Sequence, residues 1–169
     1  MRILFFLIIL STSALIAEPS EVINSEVSFE VDTRFGKSKG NFSKPSFEEL
    51  DSAAGKAVIA INTSTINTGN GMRDKHLRSD DFFDTEKFPK ATLTILSRNG
   101  NQLKSILQIK DVKKEYSINF QTKEEGDQIT YFGDFTINRK DFKIDYDSLM
   151  NPIENEVKIF FKVTMKKIG

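Results

Sequence analysis

The sequence predicts an all-β domain of about eight short antiparallel strands with one helical insertion. Two observations predict it. Apolar and polar residues alternate with a period of two along most of the chain, and short clusters of turn-forming residues separate the alternating runs. Regular short strands joined by turns make a sandwich or a barrel. At 169 residues the chain is one domain's worth, long enough to bury a good core. An antiparallel barrel of ~8 strands either fills its interior or holds one elongated small ligand, and the alternation alone does not decide which.

Met1 to Ala17 reads as an export signal, with Arg2 as the positive region, Ile3–Leu10 as the apolar region and Ser11–Ala17 as the small-residue region. The run is short for a bilayer span, which needs ~20 residues. The expected organisation is therefore a signal over 1–17 and a single domain over 18–169, periplasmic or secreted, with no transmembrane segment in the mature protein.

The first strand is read from Val27, Phe29 and Val31 alternating with Ser28, Glu30 and Asp32. Gly36–Gly40 reads as a polar turn, followed by a short segment around Phe42. Ser46–Leu50 carries a capping-box pattern but is short, so helix and edge strand both remain open. Ala57, Ile59 and Ile61 open the next strand, which ends in the polar run Asn62–Asn67. A charged segment follows, and its apolar residues do not form one helical stripe. The expectation is a short helix over 70–78, then a break at which Ser79 or Asp80 caps a second turn through Phe83. Beyond Pro89 come Leu93 and Ile95, a hairpin at Asn99–Asn101, and the return strand Leu103, Ser105, Leu107, Ile109. After a turn at Asp111–Lys114, Tyr116, Ile118 and Phe120 share a face. Glu124–Asp127 turns again, and Ile129 to Ile137 form a long strand with a bend at Gly133. Val157, Ile159, Phe161, Val163 and Met165 define the last strand.

Composition removes several function classes. Lys plus Arg and Asp plus Glu are both 24, so the formal charge is zero and broad electrostatic capture of nucleic acid or of an anionic membrane surface is not expected. There is no cysteine and one histidine, His76, which leaves no thiol chemistry, disulfide or His-pair metal site. Ser79 has no distant histidine to activate it, and the neighbouring Asp80 and Asp81 point apart, so no catalytic arrangement is recognisable. Phenylalanine, at 15 residues against 3 tyrosines and no tryptophan, fits either a ring-rich core or a ring-lined cavity.

The run Ile66–Asp84, containing Gly69-Asn70-Gly71-Met72-Arg73-Asp74-Lys75-His76-Leu77-Arg78-Ser79-Asp80-Asp81-Phe82-Phe83, together with Phe88-Pro89, resembles the signature of the YceI-like family. Leu107-Gln108-Ile109 with Val112-Lys113-Lys114, and Ile137-Asn138-Arg139-Lys140-Asp141-Phe142, are similar to further segments of that family. Asp111 and Lys143 stand where the family often has glycine, and Asp32 and Thr33 where many members carry histidine. The resemblance implies an eight-stranded antiparallel lipocalin-like β-barrel with a short helical insertion after the third or fourth strand. It implies a bacterial envelope protein that binds a polyisoprenoid, an isoprenoid quinone or a fatty-acyl amphiphile for transport or storage, with no cofactor beyond the bound lipid and with a homodimer as its assembly.

On that resemblance the tunnel lining would include Phe29, Val31, Ile59, Ile61, Phe82, Phe83, Leu93, Ile95, Leu107, Ile109, Ile118, Phe120, Phe135, Ile137, Phe161 and Val163. Arg73, Asp74, His76, Arg78, Asp81 and Asp84 either meet a polar head group or pair among themselves and with Arg139 or Asp141, locking the helix over the barrel. His76 is the residue retained as a head-group contact, and it also reads as a packed residue donating to a carboxylate. The competing expectation is a barrel plugged by its own side chains, serving as an envelope interaction or stress-response module.

Overall fold

The structure is a computed structural model that describes residues 19–167 except 148 and 151; the expected signal region lies outside the described residues. Ten strands form two five-stranded antiparallel sheets. In chain order they are β1 (Pro19–Thr33), β2 (Gly36–Asn41), β3 (Ser46–Asp51), β4 (Lys56–Asn62), β5 (Lys90–Asn99), β6 (Gln102–Ile109), β7 (Val112–Asn119), β8 (Gln121–Glu125), β9 (Gln128–Asn138) and β10 (Ile153–Lys167). One sheet runs β2-β1-β10-β9-β8 and the other β3-β4-β5-β6-β7. The helix α1 (Gly71–Arg78) follows β4 and a 3-10 turn at Thr63–Thr65.

This corrects the eight-stranded closed barrel. Two passes of the chain each break where they cross from one sheet to the other, as strands do at the corners of packed sheets. Phe42–Pro45 carries the chain from β2 to β3, and Phe120 carries it from β7 to β8. Tyr116 and Ile118 therefore belong to one sheet, and the chain beyond Phe120 to the other. Gly133 of β9 sits against the second corner. A Cβ there would lie 2.7 Å from the Asn119 carbonyl oxygen and 3.0 Å from the Phe161 ring. The bend expected at Gly133 is thus a place where another backbone comes too close for a side chain.

The segment read as a polar turn, Gly36–Gly40, is instead most of β2. Its turn lies at Arg34–Phe35, and Val31 pairs with Ser38 and Phe29 with Gly40. At Gly40 a Cβ would fall 2.5 Å from the tip of the Phe29 ring, so a side chain there displaces that ring. Ser46–Leu50 resolves as strand, because β3 pairs along β4 from Ser46 to Asp51 with one bulge between Phe47 and Glu49. The next hairpin turns at Lys110–Asp111 rather than Asp111–Lys114, with Lys110 at φ 55.

Antiparallel pairing gives the shell two ends. The turns at 52–55, 100–101 and 126–127 lie at one, and α1, the Lys110 turn and residues 139–147 lie at the other. The buried core sits at the helix end: Phe82, Ala91, Ile109, Ile137, Phe142 and Ile144 form one cluster.

Candidate ligand-binding site

The site begins with inward-facing residues that stay only half-buried. Val31, Ile59, Leu93, Phe161 and Val163 belong to the inward-facing set, yet none is fully buried. In a solid core such residues would touch protein on every side. Here they surround a cavity of about 1540 Å3 that extends from α1 to the turns at the opposite end. That is larger than the roughly 300–1,000 Å3 of ordinary small-molecule pockets. A shell plugged by its own side chains is not what the structure has.

The cavity wall takes in Phe29 and Val31 of β1, Ile59 and Ile61 of β4, Leu93 and Ile95 of β5, and Leu107 and Ile109 of β6. Ile118 and Phe120 contribute at the β7–β8 corner, Phe135 and Ile137 on β9, Phe161 and Val163 on β10, and His76, Phe82 and Phe83 at the helix end. Every residue expected to line a tunnel is therefore on one continuous surface. Tyr116 shares the inward face of Ile118, as the alternation predicts, and packs beside the Phe135 ring at 5.7 Å and against the buried cluster.

The adjacent rings of Phe82 and Phe83 have a specific geometry. The chain leaves α1 at Ser79, whose hydroxyl donates back to the His76 carbonyl at 2.7 Å. Ser79 thus closes the first helix rather than capping a second helical turn as expected. The amides of Phe82 and Asp84 both donate to the Ser79 carbonyl, so 79–84 is a tight turn, with Asp84 at φ 48. In a turn, consecutive side chains can diverge. Phe83 goes edge-on to Phe42 at 6.1 Å, and Phe42 reaches Phe29 at 5.8 Å. Phe82 goes the other way, to His76 at 5.0 Å and Tyr146 at 5.1 Å.

The charges of the signature hold this cap down, one pair among themselves as expected, His76 with Asp81, and the others through backbone and hydroxyl partners. Asp74 is buried and accepts from the Thr68 amide at 2.9 Å and from its hydroxyl. Arg73 donates to the Thr68 hydroxyl and carbonyl, and Arg78 donates to the carbonyls of Ser64 and Ile66 at 2.7 and 2.8 Å. Asn70 caps the helix by accepting from the Arg73 amide. Among the described residues, none of these groups pairs with Arg139 or Asp141. Asp141 pairs with Lys114, and Asp81 takes the His76 ring nitrogen Nε2 at 3.1 Å. His76 is both packed edge-on against Phe82 and Tyr146 and paired to a carboxylate, and it also faces the cavity.

Arg139 has another task. Only 3% exposed, it donates to the carbonyls of Ile144, Tyr146, Ile153 and Glu154 and to the Asp147 carboxylate at 2.6 Å. It thereby gathers residues 144–147 and 153–154 around one guanidinium and places Tyr146 against His76. Hydrogen bonds from Lys140 and then Arg139 hold the Asp147 carboxyl below the usual carboxylate range. Tyr146 escapes a strand-based reading because it lies in irregular chain; the only pointer to it is the Arg139-x-Asp-Phe segment just before. Lys143 adopts the left-handed conformation at φ 56, and its ammonium meets Asp111 at 2.6 Å. That hydrogen bond lowers the Asp111 pKa. Lys110 adds bonds to the carbonyls of Phe82 and Lys143, both at 3.1 Å.

Fold and site define a helix-capped β-shell around a large apolar cavity. The YceI-like domain matches residues 21–165, and the chain belongs to that family. It is 33% identical over 127 residues to Protein YceI of Escherichia coli O157:H7, covering 69% of this chain and 65% of that protein. A UPF0312 protein of Pseudomonas aeruginosa is 32% identical over 140 residues, covering 77% of this chain and 71% of the relative. The chain thus spans about two thirds of the length of these relatives. Among solved structures, Burkholderia cenocepacia BcnA superposes with a TM-score of 0.73 at 23% identity, over 83% of this chain and 95% of that one. A polyisoprenoid binding domain from Saccharophagus degradans superposes with a TM-score of 0.72 at 16% identity, over 90% and 99%. Among the described residues, no helix is long and apolar enough to cross a membrane.

Proposed function

We propose that this protein binds a long-chain apolar amphiphile, a polyisoprenoid, isoprenoid quinone or fatty-acyl compound, inside the shell, and carries or stores it without catalysing a reaction on it. The observation that carries the reading is the cavity of about 1540 Å3 walled by inward-facing residues that the protein itself leaves half-buried. The polyisoprenoid-binding description of the Saccharophagus degradans neighbour supports the same ligand class. Burial is worth roughly 25 cal/mol per Å2, so a tail losing ~400 Å2 to the wall has ~10 kcal/mol of gross driving force before association costs. Affinity of that order needs no specific polar contact, so tail chemistry is loosely specified. His76 and Arg73 at the helix end are the groups we assign to a polar head. The signal-like residues 1–17 support export to the periplasm or beyond.

The test is native mass spectrometry of the protein expressed with its full chain and purified without detergent, followed by organic extraction. A discrete added mass that extracts as a prenyl or acyl compound is the expected result. A clean apo mass, unchanged after incubation with such lipids, would sink the reading.

A further inference from the structure

The helix end carries apolar side chains that the protein does not cover. Phe35 is 79% exposed and Met72 is 85% exposed, yet both also line the cavity. They come from different elements, the turn into β2 and the first turn of α1, and so mark where the cavity meets solvent. Leu149 and Met150, 99% and 80% exposed, belong to the same end. Arg34, the neighbour of Phe35, donates to the carbonyl of Met150 at 3.5 Å, and its amide donates to that of Pro152. Single exposed apolar residues are ordinary on a protein surface; here four stand exposed at one end of the shell, two of them on the cavity wall and Met150 tied to the Phe35 turn through Arg34.

Charge says what this patch meets. The whole chain has a formal charge of zero, but cations stand among these apolar residues. The Arg34 guanidinium lies 5.9 Å from the Phe35 ring centroid. Arg73 adjoins Met72, and Lys75 is one helical turn from it. Among the described residues, Arg34 and Arg73 bond to carbonyl and hydroxyl oxygens rather than to carboxylates. Apolar side chains interspersed with cations suit the interface of an anionic bilayer, where the former enter the acyl boundary and the latter meet head groups. This inference rests on the apolar-ligand reading, because a ligand of that class resides in a bilayer and crosses water poorly.

We propose that the rim formed by Phe35, Met72, Leu149 and Met150 docks on an anionic lipid bilayer, so that an apolar chain passes directly between bilayer and cavity. The test is co-sedimentation of the full mature protein with vesicles of phosphatidylcholine and phosphatidylglycerol, and with phosphatidylcholine alone. The wild type is expected to sediment with the anionic vesicles, less so in raised salt. The Leu149→Ser, Met150→Ser double variant lies outside the cavity wall. It is expected to bind vesicles about tenfold more weakly or worse, with the same uptake of a fluorescent polyene fatty acid from vesicle-free solution. Phe35→Trp places the chain's only tryptophan at the rim, and its emission should shift to the blue on adding anionic vesicles. Failure of the wild type to bind anionic vesicles, or equal binding by wild type and double variant with no emission shift, overturns the docking proposal and leaves the ligand reading standing. Absence of fatty-acid uptake by the wild type overturns the ligand reading instead.

Discussion

The shell holds a close-packed cluster at its helix end and, bordering it, a large cavity walled by the same kind of strand. At the helix end Phe82, Ile109, Ile137, Phe142 and Ile144 are buried against each other, and Arg139 ties the irregular connection to them. Along β1, β4, β5 and β10, residues of the same apolar character, Val31, Ile59, Leu93 and Val163, face empty space. The difference comes from what lies across from them. Within the cluster a turn inserts Phe82 and a 3-10 segment inserts Phe142; among the described residues no such insertion fills the space in front of Ile59, Leu93 or Val163. Alternation orients a side chain inward, and only an intruding element turns an inward face into a packed core.

Substitutions should separate the two regions. The largest loss is expected at Arg139→Met, which strands four carbonyls and a carboxylate; about 3 kcal/mol or more should be lost, read as a lowered urea midpoint. Phe82→Ala, in the solid end, should cost ~3–5 kcal/mol, as large-to-small changes in close-packed cores do. The matched change in the hollow part, Leu93→Ala, should cost only about 1–2 kcal/mol, because the wall there already has no protein neighbour on one side. Equal costs for Phe82→Ala and Leu93→Ala would erase the distinction. Between these extremes, Gly133→Ala forces β9 away from the Asn119 carbonyl and should cost about 1–3 kcal/mol in the same assay.

The smallest effect is electrostatic and belongs to the capped end. Asp147 and Asp111 are held below their ordinary value of 3.8 by hydrogen bonds from Lys140 and Lys143 respectively. A carboxyl lowered in the folded state adds stability that is present above the unfolded value and vanishes as pH falls through the folded one. Both groups are solvent-exposed, so the effect is slight. Stability should therefore dip modestly below about pH 4, and Asp147→Asn should remove part of that dip when urea midpoints at pH 7 and pH 3 are compared.

How much was legible in the sequence follows the same division. The strands and the inward identity of the wall residues could be read directly, because period-two alternation records which face is apolar. The corners at Phe42–Pro45 and Phe120 could not, since a strand that changes sheets keeps its alternation. Apart from the His76–Asp81 pair, the partners of the charged signature were also hidden. Asp74, Arg73 and Arg78 bind Thr68, Ser64 and Ile66, backbone and hydroxyl groups that no charge pattern reveals. Tyr146 and the exposed Met72 and Phe35 fall outside any periodic run, so only their placement in space joins them to the cavity.

The central claim is that the space within the shell is a binding volume. It is tested most directly by titrating delipidated protein with a fluorescent polyene fatty acid, alongside a Val31→Phe, Leu93→Phe variant that fills the cavity from β1 and β5. The account predicts saturable uptake by the wild type, at least about tenfold weaker uptake by the filled variant, and no fall in the variant's unfolding midpoint. Equal uptake by both proteins would contradict it.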